Sequence, residues 1–182
     1  METKDQQLKF MDPKEMLIQL DVSPGIVAAD FGCGSGYFSI ALAQLLGSDG
    51  KVFALDVMKQ SLESVESRAK LMSLQNVIVQ RVNLEKENGS KLESESLDLV
   101  IIKDMLFQNQ DKKNILAEAA RVLKSRGKVL IVEWKKETMG VGPDASLRVS
   151  EKDLQKVAEK AGLALDKKIE AGNFHYALVF KK

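Results

Sequence analysis

The sequence predicts an α/β fold: a doubly wound sheet of seven mostly parallel strands, with helices on both faces and an antiparallel last strand. Short apolar segments alternate with segments whose apolar residues recur at helical spacing, which is typical of parallel strands joined by helices. Residues 97–102 are almost continuously apolar, as in a strand covered on both faces. Residues 170–173, which join the last two apolar segments, are too few for a parallel crossover.

The individual elements follow in chain order. A short helix should begin after Asp12, because this acid precedes Pro13 and is followed by Glu15 three positions later, which is a helix-capping pattern. The predicted strands are residues 26–31, 51–55, 77–82, 97–102, 128–133, 163–169 and 174–180. The longer predicted helices are residues 37–46, 60–74 and 112–123, the last stopped by Gly127, and a helix from the capping pattern at Ser150 to Ala161.

Length and composition favour one ordinary globular domain. The 182 residues suit a single core over residues 1–182, with residues 1–25 as an N-terminal helical segment. A net charge of +1 argues against general affinity for nucleic acid. The polar first seven residues and the lack of a long apolar run predict neither a signal peptide nor a membrane span.

Cysteine and histidine each occur once. Cys33 alone cannot form an internal disulfide, and with His175 it is too little for structural zinc, so we predict no metal site. This composition is typical of a reducing, cytoplasmic setting.

A glycine loop joins the first long strand to the next helix. Gly32, Gly34 and Gly36 stand at alternate positions, where they allow a sharp bend and a close approach to a ligand. Asp56 ends the next strand, where a carboxylate can accept hydrogen bonds from both ribose hydroxyls. The dinucleotide fingerprint needs glycine where this chain has Tyr37, so a nicotinamide cofactor is disfavoured.

Residues 27–37, VAADFGCGSGY, resemble motif I of the class I S-adenosylmethionine-dependent methyltransferases. The resemblance covers nearly the whole chain, including residues 98–102 as the fourth strand, residues 121–127 as a helix-to-strand turn and the terminal hairpin. It is similar above all to the small methyltransferases of ubiquinone and menaquinone biosynthesis. The resemblance implies a Rossmann-like fold, S-adenosyl-L-methionine as cofactor and S-adenosyl-L-homocysteine as product.

The resemblance also implies roles for single residues. Asp30 and the loop backbone would serve the methionine end of the cofactor and Asp56 the ribose, while Val57 and Met58 would pack on the adenine. Asn83 stands where the family often has an aspartate for the adenine amine, and its side-chain oxygen can accept the same hydrogen bond. The implied cofactor-binding residues are Asp30, Phe31, Gly32, Cys33, Gly34, Gly36, Tyr37, Asp56, Val57, Met58, Asn83, Leu84 and Lys103.

The substrate side offers candidates rather than an assigned catalytic residue. Ligands of open α/β sheets lie beyond the carboxyl ends of the strands, which places Lys103, Asp104, Phe107 and Gln108 near the transferred methyl group. Asp104 either steers the substrate or caps the turn after its strand, and Lys103 is interpreted as facing solvent. Related enzymes often carry two histidines at positions 107 and 108. His175 could line the pocket, but the structural interpretation of a lone histidine is favoured.

Several functions remain open at this point. The absence of an Asn/Asp-Pro-Pro-aromatic motif at residues 104–107 argues against amino methylation of nucleic-acid bases. The position of Cys33 argues against cytosine C5 methylation, and the single thiol argues against arsenite methylation. We expect in-line methyl transfer to a small molecule, without a required base. The alternatives are a protein or RNA acceptor, or a non-catalytic binding protein. The loop of residues 137–149 either folds over the substrate or is a surface connection.

Overall fold

The computed structural model describes residues 8–137 and 140–182. The polar segment 1–7, and Thr138 and Met139 within the predicted loop 137–149, lie outside the described residues. The strands are β1 (Val27–Phe31), β2 (Lys51–Asp56), β3 (Val77–Arg81), β4 (Leu97–Lys103), β5 (Leu123–Trp134), β6 (Ala164–Ile169) and β7 (His175–Lys181). The helices are α1 (Pro13–Gln19), α2 (Tyr37–Leu46), α3 (Lys59–Leu71), α4 (Lys112–Val122) and α5 (Glu151–Lys160).

All seven strands form one sheet in the order β3-β2-β1-β4-β5-β7-β6. The pairs among β1 to β5 are parallel, whereas β7 lies antiparallel between β5 and β6. The predicted sheet and its reversed last strand are therefore confirmed. The described helices are all too short or too polar to cross a membrane.

The two faces of the sheet carry separate apolar cores. Along β1, Ala28 packs toward α1 and α2, and its neighbour Ala29 packs toward α4 and α5. Successive strand residues point to opposite faces, so both faces of an apolar strand are covered. The prediction of helices on both faces is confirmed.

The boundary between α4 and β5 differs from the prediction. The helix ends at Val122, within one residue of the predicted Leu123, but the strand begins at Leu123 rather than at Lys128. Leu123 pairs with Leu97, but the next pair is Lys128 with Leu99, so residues 124–127 bulge out of the ladder. The left-handed Arg126, with a φ of 67°, lies in this bulge. Pairing with β4 therefore begins the strand earlier than the position of the glycine predicts.

The order of the strands creates a crevice at the carboxyl ends of the central strands. The chain builds β1, β2 and β3 outward in one direction and then places β4 on the other side of β1. The loops after β1 and β4 therefore diverge toward opposite faces, and a cleft opens beyond the carboxyl ends of these strands. The predicted glycine loop and Lys103 both lie at these strand ends.

Candidate functional site

A cavity of about 600 Å³ lies beyond the carboxyl ends of the central strands. It is lined by thirteen of the predicted site residues: Asp30, Gly32, Cys33, Gly34, Tyr37, Asp56, Val57, Met58, Asn83, Leu84, Lys103, Asp104 and Gln108. Four predicted residues lie outside its lining. Phe31 is fully buried in the core, and Gly36 is the N-cap of α2. Phe107 precedes the lining residue Gln108 in the chain, and His175 contacts Asp104.

The three glycines of the loop are required for different reasons. All three have a positive φ, which L side chains rarely adopt. A Cβ on Gly32 would lie 2.9 Å from the sulfur of Met105, and one on Gly36 would lie 2.8 Å from a methyl carbon of Val65. At Gly34 no described atom comes within 4 Å of that position. The first and last glycines permit packing, whereas the middle one leaves space inside the cavity.

The acid at the end of β2 is tied to this loop. Oδ2 of Asp56 accepts a hydrogen bond of 2.9 Å from the Gly34 amide, and Oδ1 accepts one of 2.8 Å from the Met58 amide. The amides of Gly32 and Cys33 both donate to the Leu55 carbonyl, at 2.8 and 3.0 Å. Each carboxylate oxygen has a second lone pair, so the carboxylate can accept further bonds from a ligand.

Asp30 lies at the bottom of the cavity and is only 2% exposed. Its Oδ2 accepts a hydrogen bond of 2.6 Å from the Ser39 hydroxyl. Burial raises the pKa of Asp30 from 3.8 to about 6, although the Ser39 hydrogen bond acts in the opposite direction. A cationic ligand group nearby would favour the ionised carboxylate.

The loops after β3 and β4 are joined across the cavity by Glu85. Its Oε1 accepts hydrogen bonds of 3.1 Å from the Gln110 amide and 3.3 Å from the Asp111 amide. The side-chain oxygen of Asn83 accepts a bond of 3.0 Å from the Glu85 amide. The side-chain oxygen of Asn83 therefore uses one lone pair within its own turn and has a second one available to a ligand.

The charged lining is strongly unbalanced. Among the described residues that line the cavity, four are acids and one is a base: Asp30, Asp56, Glu85 and Asp104 against Lys103. Such a lining favours a ligand that carries positive charge and disfavours a polyanion.

Asp104 links the cavity to the last strand. The Nε2 atom of His175 lies 3.3 Å from Oδ2 of Asp104 and 3.1 Å from Oδ1, and the Oδ2 contact has hydrogen-bond geometry. Lys103 Nζ also donates to Oδ2. Burial alone would raise the pKa of Asp104, but the His175 hydrogen bond and the nearby Lys103 charge outweigh it, and the pKa lies below 3.8.

Two interpretations from the sequence change with this geometry. His175 does not line the cavity itself: it is 8% exposed, packs on Trp134 with ring centroids 4.1 Å apart and contacts the cavity-lining Asp104. Lys103 was expected to face solvent, but its side chain is only 26% exposed and lines the cavity. The reason is its ion pair with the neighbouring Asp104.

Sequence reasoning missed several lining residues. They are Ser35, Phe38, Ser61, Val82, Glu85, Met105 and Asn109. The position of Ser35 within the glycine loop and of Ser61 in the first turn of the helix after Asp56 could have indicated them. The contact of Met105 with Gly32 joins residues far apart in the chain, and no local pattern signals it.

The fold and the site together define a class: an α/β domain with a glycine loop and an acid at adjacent strand ends, as in class I S-adenosylmethionine-dependent methyltransferases. A family model described as a methyltransferase domain matches residues 23–180. The chain belongs to this family, and the resemblance seen in the sequence is confirmed. The cofactor of this class is S-adenosyl-L-methionine.

Relatives of known name agree with this assignment. The chain is 34% identical over 128 residues to the demethylmenaquinone methyltransferase of Bacillus mycoides (strain KBAB4). These aligned residues cover 69% of this chain and 52% of that protein. The chain spans about half the length of the curated relatives it matches.

Solved structures support the fold. A SAM-dependent methyltransferase from Aquifex aeolicus has a TM-score of 0.86 at 24% identity, covering 94% of this chain and 90% of that one. The cyclase SpnF has a TM-score of 0.78 at 14% identity, covering 93% and 80%. At these identities the likeness shows the fold alone.

Proposed function

We propose that the protein transfers a methyl group from S-adenosylmethionine to a small-molecule acceptor. The observation that carries this proposal is the lining of the cavity, where four carboxylates and one lysine surround a glycine left open toward the ligand. S-adenosylmethionine is a net cation, because its sulfonium and ammonium outweigh its carboxylate. NAD carries a negative diphosphate, which this lining would repel.

The proposed contacts follow the order of the strand ends. Asp56, fixed by the Gly34 and Met58 amides, accepts hydrogen bonds from the ribose hydroxyls. The exposed side chains of Val57 and Met58 cover the adenine, and Asn83 accepts from its amine. Asp30 holds the ammonium of the methionine end. When bound, the cofactor supplies a methyl group activated by its sulfonium.

The chain's own residues then need mainly to align the two reactants. In-line alignment is worth effective molarities of about 10⁵ M or more in favourable cases. We assign no general base. Asp104 and Gln108 line the cavity after β4, where an acceptor would enter. A relative of this chain is a demethylmenaquinone methyltransferase, which supports a small-molecule acceptor.

Two other functions compete with this proposal. SpnF is a cyclase on a similar fold, so a domain of this architecture need not transfer methyl groups. A protein or RNA acceptor would need a recognition surface, and the net charge of +1 gives no general attraction to RNA. The small-molecule reaction therefore has the stronger support.

Binding and turnover test the proposal separately. Calorimetry with S-adenosylmethionine, S-adenosylhomocysteine and NAD should show binding of the first two and none of the third. Incubation with methyl-labelled cofactor and a metabolite extract should place label in the small-molecule fraction, with protein and RNA fractions as controls. Uptake of NAD alone would refute cofactor assignment, and binding without any labelled product would favour a non-catalytic protein.

A further inference from the structure

The end of β4 breaks the alternation of a strand. Adjacent strand residues normally point to opposite faces, which would separate Lys103 from Asp104. Asp104 instead has a left-handed backbone, with a φ of 49°, and its amide donates to the Val132 carbonyl at 2.9 Å. This turn brings the two neighbouring side chains together as an ion pair. Uncommon backbone conformations of this kind concentrate at functional sites.

His175 fixes the orientation of this pair from the last strand. An aspartate carboxylate is ionised at neutral pH and can only accept hydrogen bonds. The Nε2 atom of His175 must therefore carry the proton and donate to Oδ2. The imidazole is held in turn by packing on Trp134. Oδ1 of Asp104 is buried without a hydrogen-bond partner among the described residues, whereas Oδ2 accepts a hydrogen bond from Lys103.

This arrangement leaves Lys103 as the group that faces a ligand. Oδ2 of Asp104 already accepts from both His175 and Lys103, and two bonds use its two lone pairs. The ammonium of Lys103 has three donors, of which Asp104 engages one. Among the described charged residues of the cavity lining it is the cation, and every other one is an acid.

We propose that Lys103 binds the carboxylate of the methionine moiety of the cofactor, and that Asp104 and His175 are positioning residues for its ammonium. The ligand of the proposed function carries one carboxylate, and the cavity offers one lysine to receive it. The cofactor's ammonium would lie toward Asp30, the buried acid whose charge Lys103 already influences. This inference rests on the proposed cofactor, and it extends that proposal to the amino-acid end.

A comparison of S-adenosylhomocysteine with 5′-methylthioadenosine isolates the contact between Lys103 and the carboxylate. Methylthioadenosine has the same adenosine and sulfur but no amino-acid group. Calorimetry of Lys103→Met should show S-adenosylhomocysteine binding about tenfold weaker or more, since a hydrogen bond to a charged group is lost. Methylthioadenosine binding should change less than about twofold. The matched control is Lys51→Met, an exposed lysine at the opposite end of β2.

The positioning role of His175 has its own test. His175→Phe keeps an aromatic ring against Trp134 but removes the donor, and should lower the preference for S-adenosylhomocysteine over methylthioadenosine. His175→Gln retains an N–H donor and should restore part of that preference. Because the chain has one histidine, ¹⁵N spectra of the imidazole report its tautomer without assignment. We expect a protonated Nε2 in the wild type and loss of this fixed tautomer in Asp104→Ala.

Two results would overturn the inference. Equal weakening of both ligands by Lys103→Met would mean a general structural effect, and unchanged binding of both would remove Lys103 from the cofactor site. In both cases the wild-type protein still binds S-adenosylhomocysteine, so the proposed function survives. The proposed function fails if the wild-type protein does not bind S-adenosylhomocysteine.

Discussion

The Gly34 amide donates a hydrogen bond of 2.9 Å to Oδ2 of Asp56. The glycine loop after β1 and the acid at the end of β2 are therefore one unit, although 22 positions separate these residues in the chain. The bond fixes the carboxylate before a ligand arrives, so little rotamer freedom has to be lost on binding.

Removal of this carboxylate should weaken cofactor binding. We expect Asp56→Ala to lower the affinity for S-adenosylhomocysteine by roughly tenfold or more, because hydrogen bonds to a charged group contribute about 1.5–3 kcal/mol. Titration calorimetry measures the change. The matched control is Asp49→Ala, which removes an exposed acid from the turn before β2 and should leave the affinity unchanged. Unaltered binding by Asp56→Ala would mean that another group holds the ribose.

The middle and last glycines of the loop should respond differently to alanine. Both substitutions place a Cβ at a positive φ, at a cost of about 1–2 kcal/mol. Gly36→Ala also meets Val65 at 2.8 Å and should lose further stability. Gly34→Ala meets no described atom, so its methyl group should instead obstruct the ligand and reduce S-adenosylhomocysteine affinity by about tenfold, or 1.4 kcal/mol.

Gly47→Ala is the control for this pair. Gly47 has a φ of 69° and no described atom within 4 Å of an added Cβ, but it follows α2 and lies outside the cavity lining. Its ψ of −173° places it in a region that is essentially restricted to glycine, so Gly47→Ala should lose stability through its backbone but retain affinity. Thermal unfolding and calorimetry on the three variants separate the two effects. Equal binding by the Gly34 and Gly47 variants would contradict a ligand at the middle glycine.

The sequence was sufficient for the parts of this site that depend on local patterns. The period of the apolar residues located β1, α2 and β2, and glycine spacing with an acid at a strand end located the loop and Asp56. It was insufficient where the fold brings distant residues together. His175 and Asp104 are 71 positions apart, and only the pairing of β7 with β5 places them in contact.

The start of β5 shows the same limit in another form. Local rules treat Gly127 as the boundary between helix and strand, and they predicted a strand from Lys128. The observed strand begins at Leu123 because Leu123 pairs with Leu97, a tertiary interaction that no local pattern signals. Backbone conformations such as the left-handed Asp104 are likewise set by the surrounding fold.

Glu133 should make stability depend on pH. It is fully buried in β5, where Oε1 accepts bonds of 3.1 and 2.6 Å from the Met105 and Leu106 amides and Oε2 has no partner among the described residues. Burial raises the pKa of Glu133 from 4.5 to about 7. The folded state thus holds this proton more tightly than the unfolded chain, so the free energy of unfolding should fall as pH rises from 4.5 to about 7.

The variant Glu133→Gln tests this pH dependence. Glutamine keeps an acceptor oxygen for the two amides but does not titrate, so the stability of the wild type relative to the variant should decline by about 2–3 kcal/mol across that range. Urea unfolding at several pH values measures it, with the exposed Glu66→Gln as control. A constant difference between wild type and Glu133→Gln would show that burial does not raise this pKa.

Arg148 organises the segment that follows β5. Its side chain is buried, with Nε donating to the Pro143 carbonyl at 2.9 Å, and its two terminal nitrogens donating to the carbonyls of Lys135 at 2.7 Å and Val141 at 2.6 Å. The backbone at Gly142 lies against the Trp134 ring, where a Cβ would come within 2.5 Å. A planar guanidinium reaches three carbonyls at fixed angles, which an ammonium cannot reproduce.

Arg148→Lys should therefore loosen this segment without disturbing the cofactor. We expect faster amide exchange across residues 140–148 and a loss of about 2 kcal/mol in the free energy of unfolding, since hydrogen bonds from a charged group are removed. The cavity lining includes no described residue from 135 to 148, so S-adenosylhomocysteine affinity should stay within about twofold. Exposed Lys136→Ala is the control for charge. A large loss of affinity in Arg148→Lys would instead show that this segment closes over the bound cofactor, because its ordering would then contribute to binding.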